Sequence, residues 1–237
     1  MTLGFVLVHG GAHASWCWER LIPYLDHPAI AVDLPGRGSN PADLTTLTVS
    51  DCVASVVGDV DRTGMDRVVL VGHSLAGVVV PAIAEEIPDR IAHLVFLSAS
   101  IPPERGSSID SLPWHLRLLA RRNSRQSSNR DQMPKWLARR MFCSDLDEND
   151  TTYVLERLVP ESISLVFEKV SRVNLPASIP ITYIKLLRDK ALSPRNQDRM
   201  IANLPRPRVR TLDAGHDAMI GRPQELAQIL NEIAMGS

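Results

Sequence analysis

The stretch Val68-Val-Leu-Val-Gly-His-Ser-Leu-Ala-Gly77 constrains the fold more than any other part of the chain. Val68 to Val71 reads as a buried parallel strand, since a strand covered on both faces shows a continuous aliphatic run instead of polar alternation. From Leu75 the apolar spacing turns helical through Val79, Ile83 and Ile87. Ser74 therefore falls on a very short strand-to-helix turn, a strained arrangement that lifts a serine hydroxyl clear of the sheet edge beside a helix N-terminus. Gly72 and Ala76 let strand and helix pass without Cβ collisions, and Gly77 keeps the first helical turn thin. Ala76 stands where this motif usually has glycine and is the mildest replacement.

Strand and helix signals alternate on both sides of that turn. Leu3 to Val8 forms a first strand ending in the flexible loop His9-Gly10-Gly11-Ala12, Ser15 caps a helix from Trp16 to Leu25, and Ala29 to Val32 is a second strand closed by the turn Asp33 to Gly38. Thr48 or Ser50 opens a helix through Val60, the elbow helix runs to about Ile87, and Ile91 to Leu97 is the fourth strand. Alternation then lapses. Residues from about Ile101 to Ala177 carry amphipathic helical stretches (Trp114 to Arg121, Met133 to Phe142, Thr151 to Leu158, Ile163 to Val170) and no buried strand. An insertion at the functional edge of a sheet is the place for a lid. Arg117, Arg121, Arg122, Arg125 and Arg130 could form an anion-binding patch, but among Ser124, Ser127, Ser128 and Asn129 they read in preference as its solvated face. Order resumes with strand Ile181 to Leu187, a helix opened by Ser193-Pro194, a strand near Val209 to Leu212, and a last helix Pro223 to Ile233. The division is a core of 1–100 and 178–237 with a helical cap, 101–177, inserted in it.

With 237 residues, 44% hydrophobic, the chain suits one α/β unit with an insertion better than two equal domains. A net charge of -1 offers no attraction to nucleic acid or anionic membrane. Cys17, Cys52 and Cys143 form an odd set without metal-ligand spacing, which argues for reduced thiols rather than a disulfide framework, and no metal is expected. The apolar run at Leu3 to Val8 leaves no room for a signal core before it, and no run reaches transmembrane length, so a cytoplasmic location is expected. The sequence leaves a homodimer open.

Serine is a poor nucleophile at neutral pH and needs a base and an orienting acid. His216 lies in the glycine-containing loop between the last strand and the last helix, and Asp189 directly follows an apolar strand upstream of it, giving the order serine, acid, histidine. Asp213 and Asp217 compete for the acid role but sit too close to His216 to come from a separate strand end. His9, His13 and His73 read as structural or pocket-lining, and His27, His93 and His115 have no motif context. The tetrahedral oxyanion requires two backbone donors, for which Leu75 N–H and Gly11 N–H are the candidates. His9, Gly10, Trp114, Met133 and Trp136 are the candidate pocket residues.

Phe5-Val-Leu-Val-His-Gly-Gly-Ala-His-Ala-Ser-Trp-Cys-Trp18, Asp33-Leu-Pro-Gly36, Gly72-His-Ser-Leu-Ala-Gly77, Asp189 and Gly215-His216 together resemble the α/β-hydrolase group of plant methyl esterases, hydroxynitrile lyases and related bacterial esterases, across nearly the whole chain. The resemblance implies an α/β-hydrolase fold: a mostly parallel six-stranded sheet flanked by helices, with a helical cap. It implies a cofactor-free enzyme with a Ser74-His216-Asp189 triad acting on a small-molecule ester. The lyases of this group carry a threonine after the first-loop histidine and a lysine after the catalytic histidine; here these places hold Gly10 and Asp217. A negative charge at Asp217 disfavours cyanide and Gly10 leaves room for water, so ester hydrolysis through an acyl-enzyme is the expected chemistry. The alternatives are a cofactor-free lyase of the hydroxynitrile type, or a hydrolase-like small-molecule receptor with little turnover.

Overall fold

The apolar runs become six parallel strands: β1 (Leu3–Val8), β2 (Ala29–Val32), β3 (Arg67–His73), β4 (Ile91–Leu97), β5 (Ile181–Leu186) and β6 (Arg208–Leu212). They form one sheet in the order β2-β1-β3-β4-β5-β6, every pair parallel, in a computed structural model that describes residues 2–111 and 133–236. Successive side chains leave a strand on opposite faces. Val6, Val8, Val68, Leu70, Leu94 and Phe96 accordingly pack into one core layer, and Phe5, Leu7, Val69, Val71, Val95 and Leu97 into the other. Fully burying each such side chain contributes roughly 1.5–3 kcal/mol.

Helices cover both faces. α1 (Val49–Arg62) opens with a reciprocal cap, in which Asp51 N–H donates to Thr48 Oγ1 while Thr48 N–H donates to the Asp51 carboxylate. It presents Cys52, Val56 and Val60 to the first layer, beside α2 (Val80–Glu86). α3 (Lys135–Phe142), α4 (Glu148–Arg157) and α5 (Ile163–Phe167) lie between β4 and β5 in the chain. α6 (Pro194–Ala202), α7 (Ala218–Gly221) and α8 (Pro223–Met235) follow, with α8 burying Leu226, Ile229, Leu230 and Ile233 in the second layer. Among the described residues, no helix is long and apolar enough to cross a membrane.

Two expected α-helices are tighter and shorter. The stretch from Trp16 to Leu25 is instead two 3₁₀ turns, Ser15–Trp18 and Ile22–Tyr24. Pro23 lacks the amide that a continuous helix would bond to residue 19, and its ring would strike that carbonyl. The elbow likewise begins as a 3₁₀ turn, Ser74–Val78, before α2, because Pro81 is tolerated only in a helix's first turn. The expected helix Trp114 to Arg121 and the arginine run 117–130 lie outside the described residues.

Strand order reverses beside β1, whose neighbours are β2 and β3. Such a switch point opens a crevice at the carboxyl ends of the strands. The loop after β1 and the turn after β3 both enter that crevice, so Gly10–Ala12 and Ser74 meet there.

Candidate active site

Ser74 has a φ of 51°, the left-handed backbone expected of a sharp strand-to-helix turn. Its neighbours leave room for the turn. A Cβ on Gly72 would come within 2.5 Å of Val80 Cγ2, and one on Gly10 within 2.7 Å of Ser74 Cβ, so the β1 loop can lie against the serine only as glycine. The turn is anchored from β4, since Ser100 N–H donates to Ser74 O at 2.8 Å.

Three candidate side chains from three strand ends form one hydrogen-bonded line. Ser74 Oγ lies 3.0 Å from His216 Nε2, and His216 Nδ1 lies 2.7 Å from Asp189 Oδ2. A ring that donates from Nδ1 to the carboxylate presents an accepting Nε2 to the serine hydroxyl. Asp189 is held by three more donors: Ser98 Oγ–H on Oδ2 at 2.6 Å, and the N–H groups of Ala191 and Leu192 on Oδ1 at 2.7 and 2.8 Å. Asp213, by contrast, is 73% exposed and pairs with Arg188.

Burial is the largest influence on both members of the His216–Asp189 pair and opposes charge on each. The field and hydrogen bond of Asp189, with help from Asp217, nevertheless hold His216 above the usual histidine range. His216, with the Ser98 and backbone donors, brings the Asp189 carboxyl below its usual range. His73 behaves oppositely: burial, then the neighbouring His216 and His13, push it far down, so a neutral ring donates from Nε2 to His216 O at 3.1 Å. His73 thereby braces the backbone of His216.

The line opens into a cavity of about 230 Å³ that Gly11, Leu75, Ser74 and His216 all border. Its other walls are largely apolar: Met133, Met141 and Phe142 around α3, Val166 from α5, and Leu192. Glu161 is the one carboxylate among the described lining residues, and no lysine or arginine is among them. A larger groove of about 610 Å³ over edge strand β2 contains Asp33, but that carboxylate is occupied by the N–H groups of Ser15 and Ser39.

The other pocket candidates separate. Met133 lines the cavity; Trp136 is 69% exposed and does not, since it lies on the outer side of the helix whose inner side carries Phe142. Trp114 lies outside the described residues. His9 is fully buried, donates from Nδ1 to Gly10 O and accepts Leu34 N–H, while burial drives its pKa to about 3. It ties together the ends of β1 and β2, and neither it nor Gly10 borders the cavity, although Gly10 abuts Ser74 from behind.

Asp217 departs from its expected position facing a substrate. It is fully buried, absent from the cavity wall and paired with His13 at 3.0 Å, so its carboxylate faces His13 and not the space where an anion would sit. Cys52 and Cys143 are also buried, with thiols pushed up to about 11 and about 12, which removes them as competing nucleophiles. Ligand-type atoms of His73, His216 and Asp217 come within 4.8 Å of one another. Both His216 nitrogens are committed to Ser74 and Asp189, and Asp217 Oδ2 is committed to His13.

Ser98 and Glu161 carry no motif and come to the site only through folding. A sequence model described as the alpha/beta hydrolase family matches residues 5–229. Methylesterase 9 of Arabidopsis thaliana is 28% identical over 249 residues, covering 97% of this chain and 97% of that protein. Norfluorocurarine synthase 1 of Strychnos nux-vomica is 28% identical over 262 residues, covering 97% and 94%. Among solved structures, an extracellular alpha/beta-hydrolase from a Paenibacillus species, described as sharing structural and functional homology with tobacco salicylic acid binding protein 2, superimposes with a TM-score of 0.88 at 22% identity over 98% of each chain.

Proposed function

The chain belongs to the alpha/beta hydrolase family, and from that premise we propose that it hydrolyses a small carboxylic ester through an acyl-enzyme on Ser74. The observation that carries this reading is the unbroken line from Ser74 Oγ through His216 to Asp189, opening on a largely apolar cavity. Similarity to plant methylesterases over 97% of the chain supports an ester as the substrate.

His216 Nε2 takes the Ser74 proton as Oγ attacks the ester carbonyl, and Asp189 stabilises the imidazolium that forms. Charge moves to the carbonyl oxygen, which Gly11 N–H and Leu75 N–H receive. Collapse breaks the C–O bond, and His216 returns the proton to the departing alcohol. Water then repeats the sequence with the acyl carbon as target, activated by the same imidazole, and frees the acid and Ser74.

Cyanohydrin cleavage fits the site less well. That reaction needs a cation to hold departing cyanide, and the described lining residues provide none. The test is ester turnover beside cyanide release from mandelonitrile, with and without Ser74→Ala. Ester turnover lost in the variant while folding is retained is the expected result, with residual rate of up to about 10³- to 10⁴-fold over water from binding and the oxyanion donors. Cyanide release exceeding ester turnover and vanishing in Ser74→Ala would favour the lyase; binding without turnover would favour a receptor.

The segment between β4 and β5 supplies Met133, Met141, Phe142, Glu161 and Val166 to the cavity. We assign this segment, within 101–177, the role of a lid that sets acyl or alcohol preference while the sheet edge sets the chemistry.

A further inference from the structure

The turn after β1 contains a strained residue gripped by charged partners. Ala12 has a φ of 60°, a left-handed conformation that L side chains resist and that persists only where surroundings over-determine it. Ala12 N–H donates to Glu161 Oε2 at 3.0 Å, and Ala12 O accepts Val159 N–H at 3.0 Å, so the stretch preceding α5 holds both its polar groups. Glu161 is itself fixed by the buried Arg37 guanidinium and by Ser162 N–H.

The preceding carbonyl is gripped from the other side. Gly11 O accepts from His13 Nδ1 at 2.8 Å, and His13 Nε2 lies 3.0 Å from Asp217 Oδ2. The ring thus bridges the Gly11 carbonyl and the buried Asp217 carboxylate, one through each nitrogen. The Gly11–Ala12 peptide is therefore held at its oxygen through Asp217, the residue after the catalytic-base candidate, and at its N–H by Glu161. In a trans peptide these two groups point in opposite directions, so holding both fixes the rotation of this plane on one side of the Gly11 Cα. On the other side, His9 Nδ1 on Gly10 O at 2.8 Å holds the preceding peptide, which carries Gly11 N–H.

We propose that Glu161 and the His13–Asp217 pair are positioning residues that keep this strained turn in place so that Gly11 N–H faces the oxyanion. The seating of the 159–161 segment on the core is thereby tied to transition-state stabilisation, and the proposal rests on the hydrolase reading above. An oxyanion exists only during reaction, so loosening its donor lowers kcat and leaves KM nearly alone.

The experiment compares Glu161→Gln and Asp217→Asn, each alone and combined with Ala12→Gly, by steady-state kinetics on a short-chain ester and by thermal unfolding. Glycine accepts the left-handed conformation without penalty and depends less on the grip. Each single variant should lose about 10- to 100-fold in kcat, with KM changed less than about 3-fold. Adding Ala12→Gly should restore part of that loss, and the double variants should lose less Tm than the singles summed. Unchanged kcat, a loss confined to KM as for a plain substrate contact, or strictly additive Tm losses with no rescue would overturn the proposal. If the wild-type protein turns over no ester, the hydrolase reading fails, and the unfolding cycle still decides whether the grip on Ala12 exists.

Discussion

Asp189 receives donors from one imidazole, one hydroxyl and two amides, an arrangement suited to an ionised carboxylate that must not move. Asp189→Asn should lower kcat by about 10⁴-fold if this group fixes the imidazole tautomer as in serine proteases, whereas Asp213→Asn should be silent. The raised pKa of His216 also sets a sign. A base must be neutral, so kcat/KM should rise with pH through a midpoint above 6.5. Asp217→Asn should move that midpoint down, because it removes one of the negative charges favouring imidazolium; a pH–rate profile with a fixed midpoint would contradict this. The same shift contributes stability that is full below the unfolded histidine pKa and is lost as pH rises through the folded value. That Ser74, His216 and Asp189 come together was legible because each stands at a strand end beside small or polar loop residues. Ser98 and Glu161 were not, because their partners lie 91 and 149 residues away and neither belongs to a local pattern.

At the level of elements, the strands were legible within a residue or two, most plainly β1, β3 and β4, whose double-sided burial demands uninterrupted aliphatic runs. Helices were less so. Apolar periodicity suits 3₁₀ turns and α-helices alike over one or two turns, and at Ser15–Tyr24 and Ser74–Val78 proline decided between them. The segment between β4 and β5 was hardest: its helices carry apolar residues on several sides, and only the packing of α3 tells Phe142 from Trp136. Met141→Ala and Phe142→Ala should reorder the preference among acyl chain lengths, as each methylene in an apolar pocket is worth roughly 1–3 kcal/mol of discrimination. Trp136→Ala should leave the ranking as it was. A competition assay across acetyl, butyryl and hexanoyl esters reads both outcomes, and a change only in Trp136→Ala would misplace the pocket wall.

For the whole molecule, the reversal of strand order beside β1 places Ser74, Gly11 and Leu75 in one crevice, and the two core layers keep their strands from shifting. Leu70 is fully buried in central strand β3, four residues before Ser74. Leu70→Ala should cost about 2–5 kcal/mol in urea unfolding with little change in the slope, the range set by how far the site can collapse. The proposed chemistry requires a covalent intermediate at one residue. Rapid acid quench of wild-type protein during turnover of a chromogenic short-chain ester, followed by peptide mass spectrometry, should find a single acyl group on the peptide containing Ser74, with a burst of no more than one alcohol per chain. Ser74→Ala should give neither. Undiminished hydrolysis by a folded Ser74→Ala protein, or an acyl group trapped on another side chain, would contradict the account.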